Sequence, residues 1–128
     1  MTISVIGKKK QSKKSFDELL SDLKTSSSEK VRYNAARILG ELGDSKAVEP
    51  LIDVLRNDKN GSVRLYAARA LGELGDTKAT EFLIESLRED RNVDVRVRAA
   101  RALGRLGGKI VVEPLVEALN DENPQVCI

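Results

Sequence analysis

Residues 63–76 read Val63-Arg64-Leu65-Tyr66-Ala67-Ala68-Arg69-Ala70-Leu71-Gly72-Glu73-Leu74-Gly75-Asp76. Nearly the same words stand 32 residues earlier, at 31–44 (VRYNAARILGELGD), and 32 residues later, at 95–108 (VRVRAARALGRLGG). Two equal intervals mark a repeat architecture, in which each unit is too small to bury its apolar face alone and does so against its neighbours. Such arrays present a surface to a partner more often than they enclose a reaction centre.

Inside a copy, the apolar positions 31, 35, 38, 39 and 42 recur at spacings of three and four, which places them on one face of a helix, here termed helix A. Gly43, Gly75 and Gly107 mark its end, where a left-handed residue costs least as glycine. A second pattern, Ala47, Val48, Leu51, Ile52, Val54 and Leu55, gives helix B, with Asp44 or Asp76 ahead of it as N-cap and Gly108 at that place in the third copy. Pro50 and its counterpart Pro114 stand near the start of helix B, where the first turn tolerates a missing amide, although with Asp44 as the cap they fall late enough to bend it. Gly40, Gly72 and Gly104 lie inside helix A, where glycine costs about 1 kcal/mol relative to alanine. That recurring cost, together with the alanine pairs 35–36, 67–68 and 99–100, predicts close approach of neighbouring A helices. The large residues then sit on helix B.

The register organises the chain. Ser15–Leu23 matches Ala47–Leu55, so the array opens with a half repeat at 15–30. Full repeats follow at 31–62, 63–94 and 95–125, and Val126-Cys127-Ile128 is the truncated start of another. The expected fold is all-α, a stack of antiparallel helix pairs with about seven helices in a single repeat domain, 15–128. Residues 1–14 fall outside the register and hold Lys8, Lys9, Lys10, Lys13 and Lys14 with no acid, which predicts a flexible basic arm. These five of the 22 basic residues leave 17 against 20 acidic ones, so the body is mildly acidic at −3. No run approaches the ~20 apolar residues of a membrane span, and the first residues lack the apolar segment of a signal peptide. The single cysteine, Cys127, excludes an intramolecular disulfide, and a cytoplasmic protein is expected.

The pattern V-R-x-x-A-A-R-x-L-G-x-L-G-D followed by A-V-E-P-L-I resembles the short HEAT-like repeats of the phycobilin (PBS) lyase type, over residues 15–125. Tetratricopeptide and ankyrin patterns fit worse, because the chain has neither the tryptophan of the first nor the histidine of the second. The resemblance implies a right-handed α-solenoid with helix A on the convex side and helix B on the concave side. It also implies a scaffold role, or that of an accessory subunit in an enzyme complex of the phycobilin lyase kind. Some proteins with similar repeats are di-iron hydroxylases built on His-Glu pairs, and a chain without histidine has no such pair to offer.

The absence of histidine also rules out Ser/His and Cys/His nucleophile pairs and histidine metal ligands, so no catalytic residue, metal site or cofactor is expected. The exposed face of helix B is more informative. Glu49 and Asp53, Glu81 and Glu85, and Glu113 and Glu117 stack one pair per repeat, and Asp17 begins the row. Each pair stands at i, i+4, where like charges cost a helix roughly 0.2–0.5 kcal/mol. Carboxylates near helix N-termini and on a solvated surface need no further role, but the recurrence predicts a concave face that binds another protein through a basic segment. Arg37, Arg69 and Arg101 share one position on helix A, interleaved with Glu41 and Glu73, which reads as a solvated, salt-bridged face. Arg32, Arg64 and Arg96 border the apolar stripe and are expected to pair with Asp58 and Asp90 of the inter-repeat turns. The alternative function is association with nucleic acid through the lysine arm and the arginine face.

The last copy keeps the apolar pattern Val111, Val112, Leu115, Val116 and Leu119 with almost nothing after it, which predicts an uncapped edge that either continues into a longer array or is covered in a homodimer, the second being the expectation. For the opposite end the expectation is independence from the fold. Deleting residues 1–14 leaves helicity and melting temperature nearly unchanged, as circular dichroism would show; a large drop would mean that Ile3, Val5 and Ile6 cover the first helix.

Overall fold

The computed structural model describes residues 14–107. These form α1 (Phe16–Thr25), α2 (Glu29–Leu42), α3 (Val48–Asn57), α4 (Gly61–Leu74), α5 (Thr80–Glu89) and α6 (Val93–Leu106), with no strand among the described residues. The fold is an all-α solenoid of stacked antiparallel pairs: α2, α4 and α6 are the A helices, and α1, α3 and α5 the B helices. The fourth B helix that the sequence predicts, the truncated copy with its dimer edge, and residues 1–13 of the arm lie outside the described residues. Lys14, placed at the end of the arm by the sequence, is exposed and pairs with Asp22 at 2.6 Å.

Local chemistry sets each helix boundary. Ser15 and Glu18 form a reciprocal cap on α1: the Ser15 hydroxyl accepts from the Glu18 amide at 3.1 Å, and Glu18 Oε1 accepts from the Ser15 amide at 2.8 Å. Gly43 and Gly75 end α2 and α4 in the left-handed conformation, at φ 75° and 70°. The expected cap of helix B needs correction. Asp44 and Asp76 cap short 3-10 turns, Ser45–Ala47 and Thr77–Ala79, and the α-helices begin only afterwards, at Val48 and Thr80, without a side-chain cap. That displacement makes Pro50 the third residue of α3, inside the first turn, where an amide has no intrahelical acceptor to lose. Pro50 therefore imposes no bend.

The core runs as one strip between the two rows of helices. Leu19, Leu23, Leu51, Leu55, Leu83 and Leu87 enter it from the B helices, and Leu39, Val63, Leu71, Val95 and Leu103 from the A helices. Each such side chain contributes roughly 1.5–3 kcal/mol by leaving water. Along the A row the backbones themselves approach. A Cβ on Gly40 would stand 2.8 Å from Cα of Ala70, and one on Gly72 would stand 3.0 Å from Cα of Ala102. The A helices consequently meet each other along most of their length, whereas the B helices, separated by leucines and isoleucines, touch far less. In a stack of paired helices the closer-spaced row lies inside the curve. The A row is thus the inner one, which reverses the side assignment implied by the family resemblance: helix B does not line the concave side.

The same geometry explains two departures in the first copy. Ala70 and Ala102 lie on the side of their helices that meets the preceding glycine, and their counterpart in α2 is Ile38, before which the described residues hold no glycine seat. Leu42, one turn further on that side, was expected on the buried face but is 55% exposed, while its counterparts Leu74 and Leu106 are half-buried.

Opposite signs follow for one substitution at two equivalent positions. Gly72→Ala drives a methyl to 2.9 Å from Cβ of Ala102 and is expected to destabilise by about 1–3 kcal/mol. Gly104, exposed and with nothing among the described residues within 4 Å of the added methyl, should gain about 0.5–1 kcal/mol as alanine. Chemical denaturation of the two variants checks this, and shifts of equal sign would remove close approach as the reason for glycine.

Candidate functional site

The acidic positions of helix B are set by its boundary. Because α3 and α5 begin at Val48 and Thr80, Glu49 and Glu81 fall in the first turn, where carboxylates are favoured by the unpaired amides; Asp17 does so in α1. Asp53 and Glu85 lie one turn on. Asp17, Glu49, Asp53, Glu81 and Glu85 are all exposed and stand in register along one face, while Glu113 and Glu117 lie outside the described residues. The row is not purely acidic. Arg56 Nε reaches across one repeat to Glu85 Oε1 at 3.3 Å, with its guanidinium 5.1 Å over the ring of Phe82, and Asn57 donates to Asp53 at 2.9 Å. Glu49, Glu81 and Asp17 are left facing solvent.

The inter-repeat turns hold the second set of residues. Arg32 Nε donates to Asp58 Oδ2 at 2.9 Å and Nη2 to Oδ1 at 3.2 Å, a bidentate pair, and Arg64 repeats both distances with Asp90. The remaining arm of each guanidinium turns the other way, to the carbonyl of the turn before it: Ser26 for Arg32, Asp58 for Arg64 and Asp90 for Arg96. Every arginine of this row therefore grips its own turn by a backbone oxygen, and Arg32 and Arg64 grip the next turn by a carboxylate. Both ion pairs are nearly dry, with side chains of Arg64 and Asp90 each 7% exposed. The hydrogen bond with Asp58 holds the Arg32 pKa above its ordinary value despite burial, so the charge is permanent.

Sequence reading missed what completes these turns. Asp58 Oδ1 also accepts the amide of Asn60, whose own Oδ1 accepts the amide of Val63 and caps α4; Asp90 and Asn92 do the same for α6. The signal was the recurring Asp-x-Asn spacing. In the first turn Ser26 and Ser28 take those two places, with a serine hydroxyl accepting the Ser28 amide at 3.1 Å. A groove between the second and third turns, lined by Lys59, Arg64, Glu89, Asp90 and Arg91, mixes both signs and selects for neither.

On the A row, Arg37 and Arg69 pair with Glu41 and Glu73 at 3.2 and 3.5 Å. Tyr33 and Tyr66, from adjacent A helices, stack with centroids 5.2 Å apart and planes at 17°. No group of three or more metal-ligating residues occurs among the described residues, and none of their helices is long and apolar enough to cross a membrane.

Fold and turn chemistry together define a protein of stacked helical hairpins whose units are welded at shared turns. A family model for HEAT repeats matches residues 16–96 and again 80–127, and the chain belongs to that family. Among solved structures it is similar to the complex of CpcE and CpcF of phycocyanin lyase from Nostoc sp. PCC7120, at 32% identity and a TM-score of 0.77. The match covers 84% of this chain and 43% of that one, so the chain spans less than half of the relative's length. A search among curated proteins finds no match.

The turn network generates a sharp expectation. Asp90→Ala leaves the buried Arg64 without its carboxylate and should cost about 3–5 kcal/mol. Once Arg64→Ala is present, the same change should cost less, with a coupling of about 1–3 kcal/mol in a double-mutant cycle. Additive losses would show that the pair is not a structural unit.

Proposed function

We propose that the chain is a protein-interaction scaffold that binds a cationic or amphipathic segment of another protein on its helix-B face. The observation that carries this reading is the set of five exposed carboxylates, at two register positions on three successive B helices. The core does not require them. Buried positions on these helices are apolar or small, and of the five only Asp53 and Glu85 have a side-chain partner. Membership of the HEAT-repeat family and the two-subunit composition of the phycocyanin lyase relative both support another protein as the partner. The face belongs to the wider-spaced row, so the partner lies along the outside of the stack and meets carboxylates one repeat apart. A chain without histidine, whose recurring residues serve packing and surface charge, fits a non-catalytic role.

The likeness to a phycocyanin lyase complex favours one second reading, an accessory subunit that contributes to catalysis only with a partner chain. Association with nucleic acid through Lys8–Lys14 is a separate alternative, which salt titration distinguishes by its steep dependence.

A labelled basic amphipathic peptide should bind the body lacking residues 1–14, as read by fluorescence anisotropy. Changing Glu49, Glu81 and Glu113 together to lysine should abolish that binding and leave the fold intact. Undiminished binding by the triple variant would sink the helix-B face as the site.

A further inference from the structure

We propose that the solvent-facing side of α6, on the inner row, is a second, cationic docking surface, which takes an acidic segment of a partner protein. It is independent of the helix-B face and of opposite charge.

The inference comes from a break in the repeat. The position of Arg37 and Arg69 is kept in α6 as Arg101, but the glutamate one turn later, Glu41 and Glu73 in the first two copies, is replaced by Arg105. One turn before, where Asn34 and Tyr66 stand in α2 and α4, α6 carries Arg98. The two earlier arginines are held by their own helix's carboxylate. Arg98, Arg101 and Arg105 have no ion pair or hydrogen bond of their side chains among the described residues. They lie on one side of α6, Arg101 and Arg105 exposed and Arg98 half-buried, flanking the strip on which Val95 and Ala102 are buried. Like charges one turn apart oppose helix formation, and among the described residues no carboxylate offsets them.

The neighbouring helix shapes the patch. Arg105 Cδ stands 3.7 Å from where a Cβ on Gly72 would be, so its stem rests against α4 and its head stays on the inner row. Across that row lie Tyr66, half-buried and stacked on Tyr33, and the exposed Arg69. The residues from 98 to 105 span roughly 10 Å of helix. Beyond them the inner row returns to carboxylates, at Glu73 and Glu41. A short run of two or three carboxylates fits between these limits, and guanidinium forks take carboxylates two bonds at a time. An extended phosphodiester chain would run onto the glutamates and find only the tyrosine pair for stacking.

The test uses the full chain and two labelled probes, a glutamate-rich peptide of about twelve residues and an oligothymidylate of equal charge, read by fluorescence anisotropy. Arg105→Glu gives α6 the arginine–glutamate spacing already present in α2 and α4, so folding should persist, with melting as the control. The peptide is expected to bind and to weaken about tenfold or more in Arg105→Glu, and again in Arg98→Ala/Arg101→Ala, with little change in Glu49→Lys/Glu81→Lys. The proposal is overturned by absence of peptide binding, by tighter binding of the oligothymidylate, or by peptide binding that survives Arg105→Glu but is lost when Lys8, Lys9 and Lys10 are changed to glutamine.

Discussion

The contact on which the stack depends is the one between Gly40 and Ala70, repeated between Gly72 and Ala102. Each removes a side chain so that two helices meet nearly backbone to backbone. The glycine forfeits about 1 kcal/mol of helix propensity, and the close packing it permits brings the buried alanines and leucines of successive A helices into one strip. Because the B helices are held apart by larger residues, the two rows differ in spacing, and the difference gives the array its inner and outer faces. Which residues a partner can meet, and on which curvature, follows from this single asymmetry of side-chain size.

The inter-repeat turns add directionality to that packing. A buried ion pair alone is weak support for stability, since two charges must leave water. Here the remaining hydrogen-bonding capacity is filled: Asp58 serves Arg32 and the Asn60 amide, and its carbonyl serves Arg64. Asn60 in turn caps the next helix. A repeat is therefore bound to its neighbours by apolar contact along its length and by a satisfied polar joint at one end. Surface charges are left over for other uses: Arg37 and Arg69 are paired on their own helices, whereas Arg98, Arg101 and Arg105 find no carboxylate among the described residues.

Much of this was legible in the residues. A period of 32 with spacings of three and four locates the helices, the interior glycines announce close approach, and arginines at 32 and 64 bordering the apolar stripe point to the turn aspartates as their partners. What was not legible depended on geometry that the pattern does not encode. The 3-10 turn ahead of helix B is invisible to periodicity because Asp44 suits either kind of start, yet it decides whether Pro50 bends the helix. The side assignment failed because it was carried over from a resemblance instead of from the sizes of Gly40, Ala70 and Leu51. Leu42 failed because a repeat pattern describes an average copy, whereas the first copy has no A helix before it among the described residues. The caps at Asn60 and Asn92 were present as a spacing but went unread, since each asparagine sits in what looks like an ordinary polar loop.

The division of labour at each turn has a consequence for how such chains grow. Asp90 receives the guanidinium of Arg64 within its own copy and offers its carbonyl to Arg96 of the copy after it, so a segment of one period carries one half of a joint at each of its ends. A duplicated segment inserted in frame brings the missing halves with it, whatever point in the period it is cut at. A newly added copy thus fits both neighbours from the outset, and lengthening the array requires no compensating substitutions at the seams. Surface positions such as 73 and 105 are then free to diverge one copy at a time.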